Sequence, residues 1–247
     1  MRFKESVIGV SVQGRPIRAI TVGHGPIAVM YNAAHHANEW ITTDILLRFA
    51  EECVESYKPW YERVTLHMVP LVNPDGVEMV KRGGHRHWKA NASGVDLNSN
   101  YPAGWELAKA HKFARGYTKP GPRDYVGPYP LSEPESRAMA QYTRLVKPMV
   151  TLSLHTQGEE IYWRYRDHMP PGAEELAKRL AKASGYLLED VPSESSHGGY
   201  RDWFIEEFNR PGYTIECGLG ESPLPFSDFD GIYEKVCPLM KEALGLV

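Results

Sequence analysis

The chain of 247 residues has only three cysteines, and it has no run of 18 or more apolar residues. Because the cysteines (Cys53, Cys217 and Cys237) are few and odd in number, they do not form a disulfide framework, and they suit a reducing compartment. The lack of a long apolar run excludes a membrane-spanning helix. The amino terminus also lacks the apolar segment of a signal peptide. We therefore expect a cytoplasmic protein if the chain is a full-length product.

An excess of charge of one sign is also missing. The net charge of −3 argues against general electrostatic binding to nucleic acid or to acidic membranes. A hydrophobic content of 42% and a charged content of 24% are ordinary for globular proteins. Neither an internal repeat nor a low-complexity linker interrupts the chain, and its length is within the range of one large core. We therefore expect a single domain over residues 1–247.

What is present is an alternation of strand and helix patterns. The predicted strands are 6–12, 17–22, 26–34, 64–72, 149–154 and 213–217, and the predicted helices are 41–57, 132–147, 173–184, 203–208 and 231–245. Residues 81–130 show little periodicity, which is typical of a functional or mobile segment. The alternation predicts an α/β fold in which helices cover both faces of a sheet.

Polar side chains follow three of the predicted strands. Residues 35–40 read HHANEW directly after an apolar strand. A histidine and a carboxylate three residues apart can bind one metal ion of the zinc type, although such a short pattern alone fits a polar surface loop equally well. His155 and Glu216 also lie at predicted strand ends, where α/β sites collect. Alone, His155 could be a core-edge histidine. Glu216 closes an apolar strand, so it needs an arginine partner, a metal, or a role as a base.

Four segments resemble motifs of the zinc metallocarboxypeptidase family. They read HANEW at 36–40, VNPDG at 72–76, GVDLNSNY at 94–101 and GGYRDW at 198–203, and they occur in the order that the family has. The resemblance covers most of the chain. It implies a mixed, twisted sheet of about eight strands with helices on both faces, and one catalytic zinc ion.

The resemblance also implies the ligands of that ion. They would be His36, Glu39 and His155, since the family spacing of three selects His36 over His35. Asp96 would accept the second ring N–H of His36 and so fix the tautomer and orientation of the imidazole.

The catalytic roles follow from the same motifs. Glu216 lies beyond the GGYRDW segment at the distance expected of the family's catalytic glutamate, so it would take a proton from the attacking water and deliver it to the departing amine. Lys89 stands where the family has an arginine that stabilises the oxyanion. A lysine can also supply a positive charge there, but as a point charge without the planar donor groups of a guanidinium. Asn98 would be a substrate-binding residue.

Several positions depart from the family pattern. Ser99 stands where the family has the arginine that grips the C-terminal α-carboxylate, and a serine cannot make that bidentate charged contact. Asn38 occupies another subsite position that is frequently basic in the family. The tyrosine expected before the GGYRDW segment is missing, and by offset its place is taken by Glu194. These departures argue against an ordinary exopeptidase.

The segments HTQGEEIYW at 155–163 and WKAN at 88–91 resemble one bacterial branch of the family, the γ-D-glutamyl-diaminopimelate peptidases, and membership of that branch would reconcile these departures. Arg201 occupies the base of the family's side-chain pocket, where it suits a carboxylate on the residue after the cut; alternatively, it is an ordinary surface or ion-paired arginine. We expect Arg201 to bind the distal carboxylate of meso-diaminopimelate, and Glu194 to meet its distal ammonium. The implied substrate is a peptidoglycan stem peptide, in cell-wall turnover or sporulation. If the chain is an excised domain, the wall becomes the expected location, although no LysM wall-binding repeat is present.

Three alternatives stay open at this point. The first is an ordinary zinc carboxypeptidase that acts on α-linked C-terminal residues. The second is a zinc deacylase of the aspartoacylase type, which shares the H-x-x-E…H ligand pattern but not the other collinear segments. The third is a non-catalytic relative that only binds zinc or peptide. The retention of all three ligands and of Glu216 disfavours this last alternative.

Overall fold

An eight-stranded sheet runs through the described residues, which are 3–55, 59–192 and 197–245 of the computed structural model. In chain order the strands are β1 Lys4–Val10, β2 Pro16–Gly23, β3 Ile27–Ala33, β4 Val64–Val69, β5 Val150–His155, β6 Glu160–Tyr162, β7 Leu187–Glu189 and β8 Gly212–Glu216. Across the sheet their order is β1-β2-β4-β3-β5-β8-β6-β7. The predicted mixed sheet of about eight strands is confirmed.

Helices connect these strands. They are α1 Ile41–Val54, α2 Pro74–Lys81, α3 Trp105–Ala114, α4 Pro134–Val146, α5 Ala173–Ser184, α6 Tyr200–Phe208 and α7 Phe229–Gly245. Among the helices within the described ranges, none is long and apolar enough to cross a membrane. The prediction for the first helix extended to residue 57, and its last two positions lie outside the described residues.

The centre of the sheet is parallel. Strand β3 pairs in parallel with β4 and β5, and β5 pairs in parallel with β8. Antiparallel pairing occurs towards the edges, where β2 joins β4 and β6 joins β8. Because parallel strands point the same way, the carboxyl ends of β3, β5 and β8 meet at one edge. His155 and Glu216 are direct register partners at that edge.

The core lies on both faces of the sheet. Alternate residues of β3 point to opposite sides, so that Tyr31 packs in one cluster and Met30 in the other. The first cluster joins the sheet to α1, α5 and α7, and the hydroxyl of Tyr31 donates to the carbonyl of Met240 at 2.7 Å. The second cluster joins the sheet to α4 and α6. The predicted two-sided helix cover is confirmed.

Some elements were not predicted from the sequence. The predicted strand 64–72 is followed by helix α2, which was not predicted. The side chain of Asn73 accepts from the N–H of Gly76 at 3.0 Å, and Pro74 occupies the first turn, where its missing N–H costs nothing. Helix α3 lies within the stretch that was predicted to be irregular. Strands β6 and β7 have only three residues each, which is too short for a periodic signal.

Candidate metal centre and cleft

The loop after β3 places His36 and Glu39 at the carboxyl edge of the sheet. Glu39 ends a short 3-10 turn, Ala37–Glu39, so that its carboxylate folds back towards His36. The Nδ1 atom of His36 lies 2.8 Å from Oε1 of Glu39. The loop is held in place because the N–H of Ala37 donates to the carbonyl of Lys89 at 3.0 Å, and the side-chain amide of Asn73 donates to the carbonyl of His35 at 3.1 Å.

His155 joins this pair from the end of β5. Its Nδ1 atom lies 2.8 Å from Oε2 of Glu39 and 3.2 Å from Nδ1 of His36. One ligand atom from each of the three residues lies within 4.8 Å of the other two, and all three residues are buried. Two imidazole nitrogens and one carboxylate that converge in this way are the donor set of a catalytic zinc site. The three residues therefore fit that ion.

Asp96 lies behind His36. Its Oδ1 atom is 3.2 Å from Nε2 of His36, which fixes the imidazole with Nδ1 towards Glu39. The same Oδ1 accepts from the N–H of Asn98 at 3.1 Å, so the carboxylate is itself held. Burial disfavours the charged imidazole, but the carboxylates of Glu39 and Asp96 together raise the pKa of His36 to about 9. The pKa values of both carboxyls are correspondingly held well below their usual range, against the effect of burial.

His35 points away from the cluster. Its Nε2 atom lies 2.9 Å from the hydroxyl of Tyr101, which belongs to the second core cluster. Burial, together with the neighbouring histidines His155 and His36, holds the pKa of His35 well below its ordinary value. The geometry thus leaves His35 as a neutral, packed neighbour, in line with the choice of His36 by spacing.

Glu216 and Lys89 line the same cleft as the cluster, on different elements. Glu216 is the last residue of β8, and burial, reinforced by the negative charge of Glu39, raises the pKa of its carboxyl to about 8. The Nζ atom of Lys89 lies 3.9 Å from Oε1 of Glu39. Burial lowers the pKa of this amine, but the charges of Glu39 and Asp96 outweigh that effect and raise it. The carboxyl of Glu216, with its raised pKa, and the ammonium of Lys89 therefore both lie beside the candidate metal ligands.

The cleft has a volume of about 500 Å³, and Arg201 forms part of its wall. Arg201 is only 5% exposed and is paired with Asp202, to whose Oδ1 it donates through Nε at 3.1 Å and also through Nη2. The guanidinium lies 5.9 Å from the ring centroid of Tyr162. Arg201 is therefore ion-paired and also lines the cleft, and its contact with a substrate carboxylate stays a prediction.

Asn98 and Ser99 line the cleft as well, next to the start of α6. The side-chain oxygen of Asn98 accepts from the N–H of Tyr200 at 3.0 Å. Asn38 is buried and also lines the cleft. Glu194, for which a contact to a distal ammonium was predicted, lies outside the described residues.

Sequence reasoning missed a group of charged residues in the cleft wall. They are Lys112, Arg115, Arg123 and Asp124. All four belong to the stretch that was predicted to be irregular. The only available signal was the spacing of Trp105, Ala108 and Lys112 on one helical face, and a lysine at a buried position hides that periodicity.

Comparison with known proteins agrees with this arrangement. The chain is 41% identical over 97% of its length to the γ-D-glutamyl-L-diamino acid endopeptidase 1 of Lysinibacillus sphaericus, and it spans 65% of that protein, slightly less than two thirds. The fold matches bovine thrombin-activatable fibrinolysis inhibitor with a TM-score of 0.82 at 23% identity, covering 99% of this chain and 90% of the other. It matches murein-tripeptide amidase from Escherichia coli O157 with a TM-score of 0.67 at 24% identity, covering 97% and 91%. At these identities the two structures bear on the fold alone.

The fold and the cluster together define an α/β protein with three candidate metal ligands at the carboxyl edge of its sheet, where hydrolytic metalloenzymes of this architecture hold their ion. Within that class the family is settled by the sequence. Residues 2–238 match the model of the zinc carboxypeptidase family, and the chain belongs to it.

Proposed function

We propose that this chain hydrolyses the amide bond between the γ-carboxyl of D-glutamate and meso-diaminopimelate in peptidoglycan stem peptides, as part of cell-wall peptide turnover. The observation that carries the proposal is one cleft in which Glu216 stands beside the His36, Glu39 and His155 cluster while Ser99 and Arg201 line its walls. The cluster supplies hydrolytic chemistry, and the wall residues favour an acidic diamino acid over an ordinary C-terminal residue. The name of the relative from Lysinibacillus sphaericus supports the same bond type.

One zinc ion, held by His36, Glu39 and His155, would supply a Lewis acid for the scissile carbonyl and for the attacking water. Asp96 keeps His36 oriented, so that Nδ1 stays directed at Glu39. The carboxylate of Glu216 takes the proton of the attacking water and delivers it to the nitrogen of the departing amine, for which a raised pKa is suitable. Lys89 places a positive charge where negative charge develops on the carbonyl oxygen.

Arg201 would select the residue after the cut. Asp202 accepts one N–H from Nε and one from Nη2, so both N–H groups of Nη1 and one of Nη2 remain for a ligand in the cleft. A buried guanidinium is a strong partner for a carboxylate. Diaminopimelate carries a distal carboxylate, whereas lysine carries none, so the contact distinguishes these two kinds of stem.

The test is incubation of tri-, tetra- and pentapeptide stems with zinc-loaded protein, followed by mass spectrometry. We expect L-alanyl-D-glutamate and a fragment that begins with diaminopimelate. Release of only the C-terminal residue would contradict the proposal and favour the ordinary carboxypeptidase. A zinc-loaded protein that cleaves no stem would favour a relative that only binds its ligand.

Replacement of Arg201 by alanine should raise KM for diaminopimelate stems by about tenfold or more, because a charged hydrogen bond is lost. For stems with lysine in the same position we expect less than about a threefold change, since no distal carboxylate is present to lose its partner. Steady-state kinetics on the two matched stems measures the difference. The Arg179→Ala variant, which breaks an exposed pair with Glu242 far from the cleft, is the control. Equal effects of Arg201→Ala on both stems would refute the assignment.

A further inference from the structure

Helix α3 and the segment that carries Ser99 lie on either side of Gly198. Gly198 separates the two, with φ at +77°, and a Cβ atom built there would lie 3.0 Å from the carbonyl oxygen of Ser99 and 3.4 Å from Cβ of Ala108. Only glycine suits both this backbone conformation and this close approach. Lys112 follows Ala108 by four residues and so lies on the same face of α3, one turn further along. The buried face of α3 therefore directs a lysine towards the cleft.

Lys112 is unusually buried for a lysine, with 6% of its surface exposed. Its Nζ atom is paired with Oδ1 of Asp124, and the other oxygen of this carboxylate accepts from Nε of Arg123 at 3.1 Å. Two cations share a single carboxylate, so the group keeps an excess positive charge. Lys112 and Asp96 both line the cleft, so the ammonium and the carboxylate behind His36 face the same space.

The position of this group relative to Arg201 identifies the part of the substrate it faces. The contact between Asn98 and the N–H of Tyr200 joins the segment of Ser99 to the start of α6, where Arg201 lies. Lys112, on α3, and Arg201, at the start of α6, both line the cleft. Two cations that line one cleft suit a single residue that carries two carboxylates, and meso-diaminopimelate is such a residue.

We propose that Lys112, supported by Arg123 and Asp124, forms an anion subsite for the carboxylate at the L-centre of diaminopimelate. This is the centre whose nitrogen is in the scissile amide, and its carboxyl is free in tripeptide stems, where diaminopimelate is the last residue. Arg201 then holds the carboxylate at the distal centre. The subsite supplies from α3 the positive charge that Ser99 does not supply. The inference rests on the proposed function, because it assigns the second carboxylate of the proposed leaving residue.

The kinetic test pairs a variant with a matched change in the substrate. With wild-type protein, amidation of the L-centre carboxyl in a tripeptide stem should lower kcat/KM by about tenfold or more, since a charged contact is lost. In the Lys112→Met protein the same amidation should change kcat/KM by less than about threefold, and Lys112→Arg should restore the wild-type response. Lys178→Met, at an exposed pair on α5, is the control and should behave as wild type.

An equal amidation effect in wild type and Lys112→Met would overturn the subsite while leaving the proposed function intact. A second outcome would also overturn it. If Lys112→Met lost its sensitivity to amidation of the glutamyl α-carboxyl instead, the subsite would lie on the acyl side of the scissile bond.

A second measurement needs no turnover. Calorimetry can compare the binding of meso-diaminopimelate with that of its L-centre monoamide. The free acid should bind more tightly than the monoamide to wild-type protein and to Lys112→Arg, which keep a cation at this position. Lys112→Met should show no such preference. Absence of that preference in wild type would overturn the inference. Failure of the proposed function is recognised separately, as intact stem peptides after incubation with zinc-loaded wild-type protein.

Discussion

The Glu216→Gln protein should hydrolyse stem peptides more slowly than wild type by a factor on the order of 10² or more. Glutamine keeps the shape of the side chain at the end of β8, but its amide cannot accept the proton of the attacking water. Because the binding residues are untouched, the loss should fall on kcat, with KM nearly unchanged. Timed mass spectrometry of stem hydrolysis by the two zinc-loaded proteins measures the effect.

Zinc content must be equal in both preparations, since Glu216 shares its cleft with the metal ligands. The Glu189→Gln variant, with the same chemical change at an exposed position of β7, should retain wild-type turnover. If the Glu216→Gln protein turned over as fast as wild type, the proton would have to be accepted by another group, and Glu216 would have no role as the base.

The architecture could be predicted because its signals are local. Strand β3 is a run of apolar residues, and helix α5 has apolar residues along one face. Each element can therefore be predicted from its own short segment of sequence. The alternation of such elements then limits the fold to a sheet with helices on both faces. The edge strands β6 and β7 escape this reasoning, because three residues acquire a strand conformation only from the neighbours that pair with them.

The site divides in the same way. His36 and Glu39 are three residues apart, so a single turn of chain brings their ligand atoms together, and a short motif is enough to find them. Lys112 lines the cleft from α3, and the packing of that helix against Gly198 joins residues that are far apart in the sequence, so no short sequence window reveals it. An ion pair of Arg201 was one of the two alternatives that the sequence left open, but the sequence does not indicate Asp202 as the partner, since adjacent residues on a helix point in different directions unless a long side chain bends back.

The second large effect concerns the metal. Replacement of His155 by alanine should weaken zinc binding by more than about 100-fold. Loss of a residue that only hydrogen-bonds to a metal ligand already lowers metal affinity by about 10–100-fold, and His155 is itself a proposed ligand. Two ligands on one loop, His36 and Glu39, would remain, and a third donor from the end of β5 would be missing. Zinc competition against a chromophoric chelator measures the affinity without any need for activity. Hydrolysis of stem peptides should fall to background in the same protein.

Two further variants separate coordination from packing. Asp96→Asn keeps all three ligands but weakens the partner of His36, so its zinc affinity should fall between those of wild type and His155→Ala. His67→Ala removes an imidazole on β4 that forms a hydrogen bond through Nδ1 with the hydroxyl of Tyr142. This variant should bind zinc as wild type does. A chelator should lower the melting temperature of wild type and of His67→Ala, since zinc stabilises only the folded state, and should leave that of His155→Ala unchanged. Undiminished zinc affinity in His155→Ala would mean that β5 supplies no ligand, and the convergence of β3 and β5 on one ion would have to be abandoned.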